Sequence, residues 1–229
     1  MSESESSSAH AHSRLEVAKS LGYSEEEIKS VPQGVVCRGC GNPTALAELQ
    51  EGEIVVDLGC GSGLDAFLAA RKVGPAGRVI GIDASAETVA TAIRHAATGE
   101  YRNVEFRVGV MTALPWDDQS VDVVISNCVI NYSADISATF RETFRCLRPG
   151  GRILIADLVT QGEFSQDVFD DPLWGEWTAG AVGKQAFLTA IEEAGFRNAA
   201  VVTESLFPMA EKDDRLRGKI LSIHVKASR

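Results

Sequence analysis

At 229 residues the chain is long enough for one well-buried domain with trimmings, or at most two small ones. Hydrophobic content of 45% and charged content of 24% are those of a soluble globular protein, no apolar run reaches the length of a membrane span, and the start is too polar for a secretory signal. The net charge of −10 argues against a phosphate backbone as partner, so neither nucleic acid nor membrane is expected and a small-molecule substrate is the default. Five cysteines, at 37, 40, 60, 128 and 146, form an odd set without the spacing of a secreted disulfide scaffold. They imply free thiols in a reducing, cytoplasmic setting.

Residues 1–13 (MSESESSSAHAHS) are low-complexity and are expected to be a disordered tail, with His10 and His12 as solvent-exposed bystanders. Residues 14–51 read as an N-terminal helical lid. Helix periodicity runs from Arg14 to Gly22, and Ser24 with Glu27 makes a capping box for a second helix ending before Pro32. QGVVCRGCGNP is a loop, and Pro43 opens a further helix, TALAELQ, that ends at Gly52. Residues 52–229 read as one domain. Strands are expected near Ile54–Val56, Arg78–Asp83, Val104–Val110, Val121–Asn127, Arg152–Val159, Ala199–Glu204 and Lys219–Ala227. Helices at Leu64–Lys72, Ala86–Thr98, Ile136–Leu147 and Lys184–Ala194 separate them, and Pro149-Gly150-Gly151 makes a turn. Alternating strands and helices imply an α/β fold with a parallel sheet covered on both faces.

The stretch EIVVDLGCGSG, residues 53–63, organises the chain. It is strand, glycine turn and helix, the context in which a nucleotide-like ligand meets backbone. A dinucleotide fingerprint has the spacing G-x-G-x-x-G, whereas Gly59, Gly61 and Gly63 give G-x-G-x-G with Asp57 two places before. A carboxylate there repels a pyrophosphate and suits a ligand with a cationic amino group, such as S-adenosylmethionine. Asp83 ends the second strand, 26 positions after Asp57, where it can accept hydrogen bonds from ribose hydroxyls. Such charge-assisted bonds are worth about 1.5–3 kcal/mol. Ala84 follows it. Ligands in such sheets lie across the carboxyl ends of the strands, which puts Val110, Met111 and Thr112 beside the base and Ser126, Asn127 and Cys128 beside the reacting end.

From about Val17 to Val159 the chain resembles the S-adenosylmethionine-dependent methyltransferases, and closely the arsenite methyltransferase family. The matching stretches are GYSEEEIKSVPQG, GCGNP, DLGCGSGLDAFLAARKVGPAGRVIGID, NVEFRVG, LPWDDQSVDVVISNCVIN and FRETFRCLRPGGRILIADLV. The glycine motif and LPWDDQSVDVV mark the class, whereas GCGNP and SNCVIN are narrower. The resemblance implies a Rossmann-like seven-stranded sheet whose last strand is antiparallel. It also implies that Cys40 and Cys128 are the thiols that bind trivalent arsenic, a soft metalloid that prefers sulfur. One departure stands out. Where the family carries a further cysteine after the fifth strand, this chain reads GEWTAGA, with Trp177 in its place. An exogenous small thiol or Cys37 would then complete the arsenic ligands. Alternatively Trp174 and Trp177 form an apolar wall for an organic acceptor, or they pack a lid. A non-catalytic cofactor- or metalloid-binding module is the third reading. Cys60 is expected as a small residue in the turn and Cys146 as core, and the lone Cys37-x-x-Cys40 pair makes a structural zinc site unlikely on spacing. His95, in an exposed-looking helix, and His224 show no partner and read as structural.

Overall fold

The computed structural model describes residues 15–99, 101–172, 174 and 180–229; the expected tail 1–13 and Trp177 lie outside the described residues. Seven strands form one sheet: β1 (Ile54–Leu58), β2 (Arg78–Asp83), β3 (Val104–Val108), β4 (Val121–Asn127), β5 (Leu147–Thr160), β6 (Arg197–Leu206) and β7 (Ile220–Ser228). Their order is β3-β2-β1-β4-β5-β7-β6, with β7 antiparallel to both of its neighbours and the other pairings parallel. The expected fold class and its antiparallel last strand therefore hold. The order reverses between β1 and β4, which pair Leu58 with Ser126, so the crevice at this switch point opens between Asp57 and Asn127.

Alternation along the strands builds two cores. Val55, Val79, Val123 and Leu154 point to one face and Val56, Val124, Ile153 and Ile155 to the other. The first face is covered by α1 (residues 15–20), by α2 (Glu25–Ser30), and by α4 (Leu64–Val73) and α5 (Ala86–Thr98). The second is covered by α6 (Ile136–Cys146) and α8 (Lys184–Glu193), with Phe140 and Phe187 edge to face at 5.5 Å. A third, smaller cluster gathers Cys40, Ala156, Leu158, Val168, Trp174, Phe207 and Leu216 beneath the site; Val168 belongs to α7 (Gln166–Phe169).

The strands Arg78–Asp83 and Val121–Asn127 fall where the pattern puts them, and three other expectations are corrected. The helix expected from Pro43 to Gly52 is only α3 (Pro43–Leu46), because the guanidinium of Arg152 claims the carbonyls of Ala47 and Glu48 at 2.9 and 2.8 Å. The third strand stops at Val108, since its partner β2 ends at Asp83 and the Gly109 N–H closes the ladder on the Asp83 carbonyl. The Pro149 turn is an irregularity within β5: pairing with β4 jumps from Val121–Leu147 to Val123–Arg152. The capping box is formed as read, Ser24 and Glu27 each accepting the other's backbone N–H.

Phe67 on α4 is fully buried, 4.6 Å from the Tyr101 ring and 5.5 Å from the Phe106 ring between centroids. Phe67→Ala is expected to cost about 3–5 kcal/mol, read as a lower urea midpoint with an unchanged slope.

Candidate active site

The glycine turn joins β1 to α4 with Gly59, Gly61 and Gly63 at φ +67°, +53° and +100°. A Cβ on Gly59 would sit 2.5 Å from Val129, and one on Gly63 would meet the Phe67 ring at 2.6 Å. A Cβ on Gly61 would meet nothing within 4 Å, so that backbone faces open space. The turn is braced from β2, because the Asp83 carboxylate accepts the N–H of Gly61 at 3.1 Å and of Ser85 at 2.9 Å. Ser85 in turn caps α5 through the Thr88 N–H.

Two adjoining cavities open above this turn. One of about 550 Å³ is lined by Tyr23, Asp57, Gly61, Asp65, Asn127 and Cys128 among others. The second, about 320 Å³, is lined by Asp83, Ala84, Val110, Met111 and Thr112, and the two share Gly59, Asp83, Val129 and Tyr132. All of the residues expected to hold the cofactor except Gly63 thus border this space, larger at the Asp57 end and smaller at the Met111 end.

The charge of the larger cavity tests the expected ligand. Asp57 is buried, and its Oδ2 has no hydrogen-bond partner. Burial first, then the charges of Asp65 and Asp83, push its carboxyl well above the usual range. A buried acceptor beside two further carboxylates is stabilised by a cation. The amino group of S-adenosylmethionine meets that demand, and the open face of Gly61 leaves room for the rest.

Two residues that sequence reasoning missed line this cavity. Asp65, at the start of α4, is buried, and Tyr23 Oη donates to it at 2.8 Å. The Asn127 amide nitrogen lies 2.9 Å from the other Asp65 oxygen, 2.9 Å from Tyr23 Oη and 2.8 Å from the Gly41 carbonyl. Asn127 Oδ1 accepts the Cys40 N–H at 2.9 Å. One side chain of β4 therefore joins the acidic cavity to the cysteine turn.

At the far end of Asn127 the two expected thiols meet. The sulfurs of Cys40 and Cys128 and a carboxylate oxygen of Asp157 all lie within 4.8 Å of one another. Cys128 stands at φ +61°, rare for a residue with a Cβ, with its N–H on the Ala156 carbonyl at 2.7 Å. Asp157, also missed by sequence, fixes the turn after Cys128. Its Oδ2 accepts the Ile130 N–H at 2.8 Å, and its Oδ1 accepts the Leu158 N–H at 2.7 Å and Asn131 Nδ2 at 3.0 Å. Burial raises the Asp157 carboxyl to about 7 against these donors. Burial, then the neighbouring Cys128, also pushes the Cys40 thiol up.

Cys37 is half-buried and stands outside this group, lining an outer groove with Val17, Leu21, Phe207 and Met209. Trp174 is buried in the cluster around Cys40 rather than in either cavity. None of the five cysteines is in a disulfide among the described residues. Cys60 and Cys146 are buried as expected, and burial raises Cys146 to about 11. Both structural histidines have partners after all. His95 is half-buried, its Nδ1 3.2 Å from the Ser62 carbonyl, and His224 accepts the Asn42 N–H at 3.1 Å.

Residues 49–195 match the family described as "Methyltransferase domain". The chain is 46% identical over 179 residues to an arsenite methyltransferase of Halobacterium salinarum, covering 77% of this chain and 46% of that protein. It is 35% identical to the arsenite methyltransferase of Aquipseudomonas alcaligenes, over 80% of this chain and 54% of the other. It thus spans about half the length of the curated relatives it matches. Among solved structures it is similar to an arsenic(III) S-adenosylmethionine methyltransferase from Chlamydomonas reinhardtii, at TM-score 0.74 and 31% identity, over 94% of this chain and 73% of that one.

Gly61→Ala puts a methyl group into the open space, where it meets no protein atom within 4 Å, at a backbone cost of about 1–2 kcal/mol for a Cβ at φ +53°. It is expected to keep the native circular dichroism and to weaken S-adenosylmethionine binding by on the order of a hundredfold, about 2.7 kcal/mol by calorimetry. The raised Asp157 carboxyl keeps its proton in the folded chain over a range where the unfolded chain has lost it. Its contribution is fully present below about pH 4 and is lost as pH rises through about 7. Urea unfolding across that window is expected to show a falling stability that Asp157→Asn flattens.

Proposed function

Because the chain belongs to the S-adenosylmethionine-dependent methyltransferases, on their arsenite methyltransferase branch, we propose that it transfers a methyl group from that cofactor to trivalent arsenic held on its own thiols. The observation that carries this reading is the convergence of the Cys40 and Cys128 sulfurs beside a cavity whose floor is Asp57. When bound, S-adenosylmethionine supplies a methyl carbon activated by its sulfonium. Asp57 takes the amino group, Asp83 the ribose hydroxyls, and Gly59 and Gly61 the close backbone approach, while Ala84, Val110 and Met111 flank the base; Gly63, which lines neither cavity, packs against Phe67 instead. Asn127 sits between this space and the thiols.

Trivalent arsenic is soft and keeps a lone pair, so the protein has only to position it and exclude water. Cys40 and Cys128 hold it, and no side chain needs to take a proton from it. The segment 14–51 acts as the lid. Val36 ties to Ser62 at 2.8 Å and the Tyr23 hydroxyl to Asp65, so this segment crosses the mouth of the cavity. Cys37 lies on the outer groove, which leaves the third arsenic position to an exogenous small thiol. Five cysteines outside any disulfide among the described residues suit a cytoplasmic setting, and among the described residues no helix is long and apolar enough to cross a membrane.

Incubation of the protein with arsenite, a small thiol and labelled S-adenosylmethionine is expected to give methylated arsenic. Cys128→Ser is expected to lower the rate at least about a thousandfold, roughly 4 kcal/mol of barrier, with cofactor affinity unchanged. Native protein that binds the cofactor yet makes no methylated arsenic would refute the arsenic acceptor. Turnover of an organic acceptor retained in the Cys40→Ser/Cys128→Ser variant would replace it.

A further inference from the structure

We propose that Ser222 and His224, on β7, are positioning residues that set the Cys40 sulfur in place for the metalloid. The proposal deepens the reading above, in which Cys40 is an arsenic thiol. Cys40 lies in residues 31–42, a stretch with no regular secondary structure, so no local ladder fixes it. Its backbone is nonetheless held on both sides. Asn127 takes its N–H, and Ser222 Oγ donates to its carbonyl at 2.7 Å. Two residues on, the Asn42 N–H donates to His224 Nε2 at 3.1 Å. An imidazole that accepts at Nε2 carries its hydrogen on Nδ1, and Thr203 Oγ1 of β6 lies 2.5 Å from that atom.

The glycines around Cys40 match this grip. A Cβ on Gly39 would stand 2.2 Å from the Asn127 amide, and one on Gly41 would stand 2.3 Å from His224 Nε2. The turn lies flush between an amide and an imidazole, which is a physical reason for the run G-C-G. Ser222 and His224 are two apart on one face of β7, as strand alternation requires. Their register partners on β5 are Leu158 and Ala156, and Ala156 is also the residue whose carbonyl holds the Cys128 N–H. Both sulfurs are therefore referenced to a single stretch of the β5–β7 ladder, Cys128 from β5 and Cys40 from β7.

The test is an iodoacetamide time course on the full chain, mapped to individual cysteines by mass spectrometry, with arsenite kinetics and cofactor calorimetry alongside. Ser222→Ala and His224→Leu are expected to label Cys40 about tenfold faster than the native protein while Cys128 stays within about twofold. They are also expected to raise the KM for thiol-bound arsenite by about tenfold with a smaller change in kcat and unaltered cofactor affinity. His224→Gln, whose Oε1 can accept the Asn42 N–H, is expected to recover native labelling. Ser222→Thr against Ser222→Ala asks the same question with one hydroxyl. Unchanged Cys40 labelling in Ser222→Ala, equal acceleration at Cys128, or no difference between His224→Leu and His224→Gln would overturn the proposal. Native protein inactive on arsenite would count against the function above, while the labelling comparison still decides this inference.

Discussion

The amide of Asn127 is the interaction on which the rest of the site depends. It stands at the end of β4, beside the crevice where strand order reverses, and it reaches parts of the chain far apart in sequence. Its oxygen receives the Cys40 N–H, and its nitrogen faces the Gly41 carbonyl, Tyr23 Oη and an Asp65 oxygen. Hydrogen bonds to charged groups in such surroundings contribute about 1.5–3 kcal/mol each, and the penalty for leaving a buried carboxylate unmatched is larger still. Tyr23 in the N-terminal segment, the first turn of α4 and the Cys40 turn are thus fastened at a common point.

The two ends of the site make opposite electrostatic demands. Around the glycine turn, Asp57, Asp65 and Asp83 crowd one cavity, and the Asp57 carboxyl is pushed up by burial and by its two neighbours. That end is relieved by a positive charge. At the other end, burial and mutual proximity push the Cys40 thiol up, and Asp157 beside it spends its oxygens on backbone and amide donors. That end favours a soft partner able to displace the thiol protons. On the proposed reading, the polarity of the crevice would orient a sulfonium nucleoside against a metalloid with no need for a dedicated base.

The part of this arrangement legible in the sequence is the part whose chemistry is local. Asp57, the three glycines and Asp83 announce themselves because strand, turn and helix follow one another within thirty residues, and β2 and β4 end where their apolar runs end. Cys40 and Cys128 were legible through their motifs. Tyr23, Asp65, Asp157, Ser222 and His224 were not. Asp65 reads as an ordinary acid in a helix's first turn, and His224 as an alternating strand residue. Their partners lie 62 and 182 positions away and come into reach only through the assembled sheet. The shortened α3 has the same origin, since the Arg152 that claims its carbonyls is 105 positions from Ala47.

The antiparallel strand β7 carries a temporal consequence. A ribosome releases the glycine turn, Cys40 and Cys128 well before it makes Ser222 and His224. Until that strand slots between β5 and β6, Cys40 lacks the partner of its carbonyl and Asn42 that of its N–H. Metalloid encountered during synthesis would meet a floppy thiol rather than a shaped pair. Loop closure across so long a separation is slow to form. Docking of this strand is thus the folding event that sets Cys40 in place beside Cys128.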